Sequence, residues 1–164
     1  MIEQQYLDDC VFQLRRLKAD ADKAMAQIDA PQFFALLDAD ANSVALIVKH
    51  VAGNMRSRWT DFLTTDGEKP DRHRDGEFER DESDTREAVL ARWEAGWNLV
   101  FTTLQSLQPS DLARTVTIRG EPHTVLQALN RQVSHYSAHV GQIVLLAKHF
   151  AGPQWQTLSI PRKR

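Results

Sequence analysis

Residues 124–150 read TVLQALNRQVSHYSAHVGQIVLLAKHF, and their spacing decides the fold. Thr124 stands three residues before Gln127, the pairing in which a hydroxyl and an amide satisfy free N–H groups at a helix start. From there Leu126, Leu129, Val133, Tyr136, Val140, Ile143, Val144, Ala147 and Phe150 recur at intervals of three and four. That is the stripe of an amphipathic helix, and Gly152-Pro153 ends it.

The same period appears three more times upstream. Leu7, Val11, Leu14, Leu17, Ala21 and Met25 predict a first helix from Gln4 to about Ile28. Asp38–Ser43 offers several N-terminal caps, and Val44, Ile47, Val48, Val51, Met55 and Phe62 carry a second helix to about Leu63, before Thr64-Thr65-Asp66-Gly67. Asp84-Thr85-Arg86-Glu87 resembles a capping box and introduces a third helix through Val89, Trp93, Trp97, Val100 and Leu104 to about Leu107. Between these stretches, Asp29–Leu37 reads as a loop or a single turn. Thr115–Ile118 reads as a very short strand or half of a hairpin, with turn chemistry in Arg119-Gly120-Glu121-Pro122. The tail Pro161–Arg164 reads as solvated.

Four such stretches in one chain of this length predict an all-α fold, a four-helix bundle forming a single domain over residues 1–164. The charged, aperiodic connection 64–83 hints at the topology. At roughly 3.3 Å per residue it can travel back along a 30 Å helix, so the second and third helices can run parallel, up-down-down-up.

Composition narrows the partners. Twenty Lys and Arg against 22 Asp and Glu are too balanced for a protein that wraps a phosphate backbone, so nucleic acid is not expected. No apolar run approaches the roughly 20 residues of a membrane span, and Met1–Tyr6 carries no secretion signal, so the expected location is the cytoplasm. Cys10 is the single cysteine and reads as an inert core residue.

His135 and His139 lie four apart, which stacks two imidazoles on one helix face within reach of a single metal ion. If the His50 face of the second helix meets them, three neutral ligands converge and leave coordination positions for a substrate atom. The same spacing also arises on a helix face whose histidines are merely hydrogen-bonded. It is not a zinc-protease signature, because Tyr136 rather than a glutamate follows His135. His73, His123 and His149 need no site.

The placement of His50 and of His135-Tyr136-Ser137-Ala138-His139 resembles the metal-binding triad of the DinB/YfiT-like superfamily of bacterial four-helix bundles. Lys49–Pro70, His139–Val144 and Trp155–Pro161 are similar to a branch of that superfamily with no agreed activity. The resemblance implies an up-down-down-up bundle, a divalent metal on His50, His135 and His139, and frequently a homodimer. Members of the wider superfamily include metal-dependent thiol transferases that use bacillithiol, mycothiol or glutathione, a mycothiol-dependent maleylpyruvate isomerase, and DNA-damage-induced proteins with no known reaction. The expected cofactor is a divalent transition metal, zinc or nickel first and iron or cobalt next. The expected partners are a small-molecule thiol and an electrophile, with hydrolysis by activated water or a non-catalytic stress-associated role as the other readings. Asn54 is placed to orient a bound water, and Arg56, Arg58 and Asp61 to anchor an anionic substrate, although a solvated helix face explains those charges too. Tyr136 and Trp59, Trp93, Trp97 and Trp155 read as packing residues, the tryptophans alternatively as dimer contacts. Asp71 stands where the resemblance leads one to expect an aromatic side chain.

Overall fold

A computed structural model describes residues 1–161; Arg162–Arg164, and with them most of the tail expected to be solvated, lie outside the described residues. Five α-helices and one hairpin make up the regular structure: α1 (Ile2–Met25), α2 (Ala30–Phe34), α3 (Val44–Trp59), α4 (Arg86–Ser106), β1 (Thr115–Ile118), β2 (Glu121–Thr124) and α5 (Val125–Ala151). The four predicted amphipathic stretches are α1, α3, α4 and α5. The segment read as a loop or single turn holds α2, started by a capping box between Asp29 and Gln32 with Pro31 in its first turn.

Contacts fix the direction of each helix pair. Tyr6 Oη donates to Asn130 Oδ1 at 2.8 Å and Gln27 Nε2 to the Gln156 carbonyl at 3.1 Å, so α1 and α5 run parallel. Arg86, at the start of α4, donates to the Met25 and Ile28 carbonyls at the end of α1, and Trp93 Nε1 reaches Asp22, so that pair is antiparallel. Thr103 Oγ1 donates to the Trp59 carbonyl, while Gly96 lies against Met55 and Ala52, which sets α3 parallel to α4. His50 with His139, and Asn54 with Tyr136, make α3 and α5 antiparallel. Leu14, Phe33, Val48, Trp93, Trp97, Leu129 and Ile143 are fully buried between them.

Two boundaries differ from the sequence reading. Helix α3 stops at Trp59, not near Leu63, because Asp61 takes a left-handed conformation (φ 48°) and its carbonyl accepts from the amides of Thr64 and Thr65. Phe62 keeps the apolar period without being helical: its ring stacks on Trp59 from within the turn. At the start of α4 the cap is Thr85, whose side chain accepts from the Ala88 amide. Asp84 is instead buried and ion-paired with Lys49 and Arg92.

The hairpin turns on two residues only, Arg119 and Gly120, both at positive φ, as a tight hairpin with right-twisted strands requires. Pro122 therefore sits in the second strand rather than the turn, opposite Thr117. The Asp66 carboxylate accepts from the amides of Arg119, Gly120 and Glu68, and the Gly67 amide donates to the Thr117 carbonyl. The hairpin is thereby pinned to the chain leaving α3, which holds Arg119 beside that helix. No helix among the described residues is long and apolar enough to cross a membrane.

Candidate metal centre

The antiparallel α3–α5 contact brings the three predicted histidines together. His135 Nε2 lies 3.4 Å from His50 Nε2 and 3.1 Å from His139 Nε2, and one ligand atom from each ring lies within 4.8 Å of the others. Nitrogens bound tetrahedrally to one ion at about 2.0–2.1 Å are separated by about 3.3 Å, so the two separations from His135 are those of ligands sharing a centre.

The other ring nitrogens decide the tautomers. His50 Nδ1 is 2.9 Å from Glu77 Oε2, and His139 Nδ1 is 2.8 Å from Gln142 Oε1. Each is the donor to its acceptor, which leaves the Nε2 lone pair of both rings directed at His135. A single proton on His135 Nε2 can satisfy one of them and not both. A cation at the centre satisfies all three, and His135 then carries its proton on Nδ1. Burial first, then the neighbouring His139 and His50, push His135 down to about 3, and burial also lowers His139 despite its bond to Gln142. These two rings are therefore neutral at physiological pH, the protonation state in which imidazole binds metal.

Glu77 is the residue that the sequence did not disclose. It lies in a short 3-10 turn, Asp75–Phe78, inside the connection that showed no period. Its carboxylate is buried and accepts hydrogen bonds from Arg72 Nε and Nη2 at 2.8 Å each and from His50 Nδ1. Burial alone would raise its pKa, but Arg72 and then His50 outweigh burial and hold it below the usual carboxylate range. A carboxylate on the outer nitrogen of a ligating histidine fixes its ring and strengthens its donor atom. The next residue, Phe78, stacks on the His50 ring at 4.6 Å. Gly53 makes room for this clamp, since a Cβ there would stand 2.2 Å from Glu77 Oε1.

Asn54 lines the open side of the centre with His50 and His135. Tyr136 is core, as expected, but its hydroxyl also accepts from Trp59 Nε1 and donates to Asn54 Oδ1, which holds the Asn54 amide in place. The cleft beside them has a volume of about 300 Å³. Of the predicted anion anchors, Arg58 lines it, whereas Arg56 faces a groove between α3 and α4 and Asp61 is exposed in the turn that closes α3. Asp71, at the position where an aromatic was expected, is exposed and paired with Arg56 at 2.6 Å. His73 and His149 are exposed and His123 bonds to the hairpin, all away from the centre. Cys10 is buried, and burial and then Asp9 push its thiol up to about 11, in keeping with an inert residue.

Gln142 was within reach of sequence reasoning, because a partner three residues past His139 lies on the same face. Glu77 was not: it arrives from 27 residues beyond His50 through an irregular segment.

Fold and site together define a predominantly helical protein whose three converging imidazoles could hold a divalent metal ion. Residues 1–164 match the profile of the family described as Protein of unknown function (DUF1572), and the chain belongs to that family. No curated protein matches the chain.

Proposed function

We propose that the chain is a DinB-like metalloprotein, one up-down-down-up four-helix bundle, in which His50, His135 and His139 hold a divalent transition metal, zinc or nickel by preference. The pairwise helix contacts support the bundle: α1 meets α4, α4 meets α3, α3 meets α5 and α5 meets α1, in the directions given above. Its proposed activity is the transfer of a low-molecular-weight thiol to an electrophile during detoxification or stress, in the cytoplasm and as a homodimer. The observation that carries the reading is the cluster of three Nε2 atoms, two of whose rings, His50 and His135, line an open cleft. Three neutral ligands leave a divalent ion with uncompensated charge and vacant positions, which favours an anionic sulfur ligand at neutral pH.

The chain's own part is positional. Glu77 and Phe78 fix His50, Gln142 fixes His139, and Asn54 presents its amide beside the cleft. His50, His135 and His139 would hold the ion, and the cleft lined by His50 and His135 would admit a small molecule to it.

Equilibrium dialysis with zinc, nickel or cobalt tests the site, with one ion per chain expected for the parent protein and none retained by His135→Ala. Adding glutathione to the cobalt-loaded protein then produces a sulfur-to-metal absorption band, and chlorodinitrobenzene is consumed only when thiol is present. Stoichiometric metal with no thiol-dependent band overturns the transferase reading, and consumption of ester or amide substrates without thiol replaces it with hydrolysis.

A further inference from the structure

The cleft beside the three histidines carries an unusual excess of one charge. Arg58, Arg72, Arg74, Arg119 and Arg131 line it, and none of its lining residues is an aspartate or glutamate. They come from four separate places: α3, the connection after it, the hairpin turn and α5. Chain folding therefore collects them, and no local run of basic sequence does.

Internal carboxylates offset only part of this charge. Glu68 accepts from Arg58, Arg72 and Arg119 together, and Glu77 divides its oxygens between Arg72 and His50. Arg74 makes no short ion pair: its guanidinium lies over the Phe78 ring at 5.3 Å and 3.7 Å from Asp75, whose side chain is exposed. The Arg131 side chain makes no ion pair or hydrogen bond among the described residues, and it is exposed. The Arg58 side chain is buried, and burial, with Arg72 and Arg119 nearby, draws its guanidinium below the ordinary value despite Glu68.

Unpaired polar atoms mark the same place. Arg58 Nε, His135 Nδ1 and Gln132 Oε1 are buried without a partner, and all three residues line the cleft. Two of these are N–H donors when His135 presents Nε2 to the centre. A cleft with free guanidiniums at its mouth and unsatisfied donors in its wall is complementary to an acceptor-rich anion.

We propose that this arginine-lined cleft binds the oxyanion group, carboxylate or phosphate, of a small-molecule substrate and so places the rest of that molecule at the three-histidine centre. A volume of about 300 Å³ suits a molecule of metabolite size. His50 and His135 line the same cleft, so a molecule anchored on the arginines reaches the histidine nitrogens without leaving it. The inference rests on the metal-centre reading for what happens next, but anion binding itself is tested apart from it.

The test is isothermal titration of the full chain with inorganic phosphate and, separately, succinate, first after chelator treatment and then loaded with zinc. Arg74→Gln combined with Arg131→Gln removes two exposed guanidiniums that make no short ion pair, with circular dichroism and zinc stoichiometry checked because Arg74 also lies over Phe78; Arg114→Gln, an exposed arginine away from the cleft, is the control. The expected result is saturable binding of one anion per chain to the metal-free parent, weakened about tenfold or more in the double variant and unchanged in the control. Saturation by phosphate alone assigns a phosphorylated molecule, and by succinate alone a carboxylated one. Absence of saturable binding, or a double variant that binds like the parent, overturns the proposal. So does binding that needs zinc and ignores the arginine changes, because the anion is then only a metal ligand. If phosphate binds and zinc does not, the metal reading fails and this one stands.

Discussion

Helices α1 and α4 bury Leu7, Leu14, Met25, Val89, Trp93 and Trp97, with Cys10 and small residues between them and no charged side chain. Helices α3 and α5, with the connection that follows α3, bury His50, Asn54, Arg58, Glu77, Asp84 and Gln132. Moving an ionised group out of water costs several kcal/mol unless partners replace the solvent. A chain needing only a stable core would fill both halves alike, so the polar half is where the proposed site accounts for buried charge that packing alone does not. Four tests break or sharpen that contrast.

The largest effect belongs to the apolar half. Trp93 is fully buried, packs edge-on against Trp97 and donates from its indole to Asp22. Trp93→Ala opens a large cavity and is expected to cost about 3–5 kcal/mol in chemical denaturation. The fraction that remains folded should still bind one zinc per chain, because the ring and indole partners of Trp93 are Trp97 and Asp22 rather than the triad. Loss of metal stoichiometry in folded Trp93→Ala would mean that the two halves are not separable.

The polar half should answer in the opposite way. Glu77→Gln keeps the shape of the His50 clamp and removes its charge, and a change of this kind typically costs about 10–100-fold in metal affinity. Gly53→Ala is expected to give a loss in the same direction without altering any ligand or partner, since the new methyl displaces the Glu77 carboxylate. Competition with a chromogenic chelator measures both. Equal affinity in the two variants and the parent would remove Glu77 from the site.

How much of this was legible in the sequence follows the same division. Periodicity exposes helices because apolar side chains at three and four residue intervals must share a face, and all four long helices were readable from it. His135 and His139 were readable for the same reason, and His50 as a polar residue on an apolar stripe. Glu77, Arg72 and Arg74 were not, because they come from a segment whose conformation is set by tertiary bonds to α3 rather than by a local period. Arg131 resembles any solvated arginine on a long helix until the hairpin places Arg119 in the same cleft. The end of α3 was overrun because Phe62 continues the apolar spacing from a turn, and side-chain spacing alone carries no record of the positive φ at Asp61.

Acid should also separate the halves. In the metal-free protein His135 sits at about 3 against an ordinary 6.5, so between those values the unfolded chain holds a proton that the folded chain does not. Its contribution is complete above 6.5 and is lost as pH falls toward 3. Glu68 and Glu77 add to the acid side: burial opposes them, but their arginines hold both below the ordinary 4.5, so their contribution is present above that value and disappears as pH drops through the lower folded one. Denaturation midpoints measured from pH 3 to 7 should therefore climb with pH, and His135→Gln should flatten the climb while Trp93→Phe lowers the whole curve without changing its slope. An unchanged slope in His135→Gln would show that its ring is not held neutral.

The smallest effect is expected two residues from one of the largest. Arg56 and Arg58 both lie in the last turn of α3, but successive helical residues turn by about 100°, so the two side chains leave the helix on nearly opposite faces. Arg56 meets Asp71 across open solvent, with both side chains mostly exposed. Surface pairs of this kind contribute little, because water and salt screen them and two long side chains must be ordered to make them. Arg58 is buried, donates to the Gly67 carbonyl and to Glu68, and lines the cleft. Arg56→Gln should leave the unfolding midpoint, zinc stoichiometry and phosphate affinity at parental values. Arg58→Gln should destabilise by about 1–3 kcal/mol, since it strips hydrogen bonds from buried acceptors, and should weaken phosphate binding in the same protein. A matched response in the two variants would mean that helix face and burial do not govern which arginine of this pair matters, and the division between a scaffold half and a chemical half would lose its sharpest internal control.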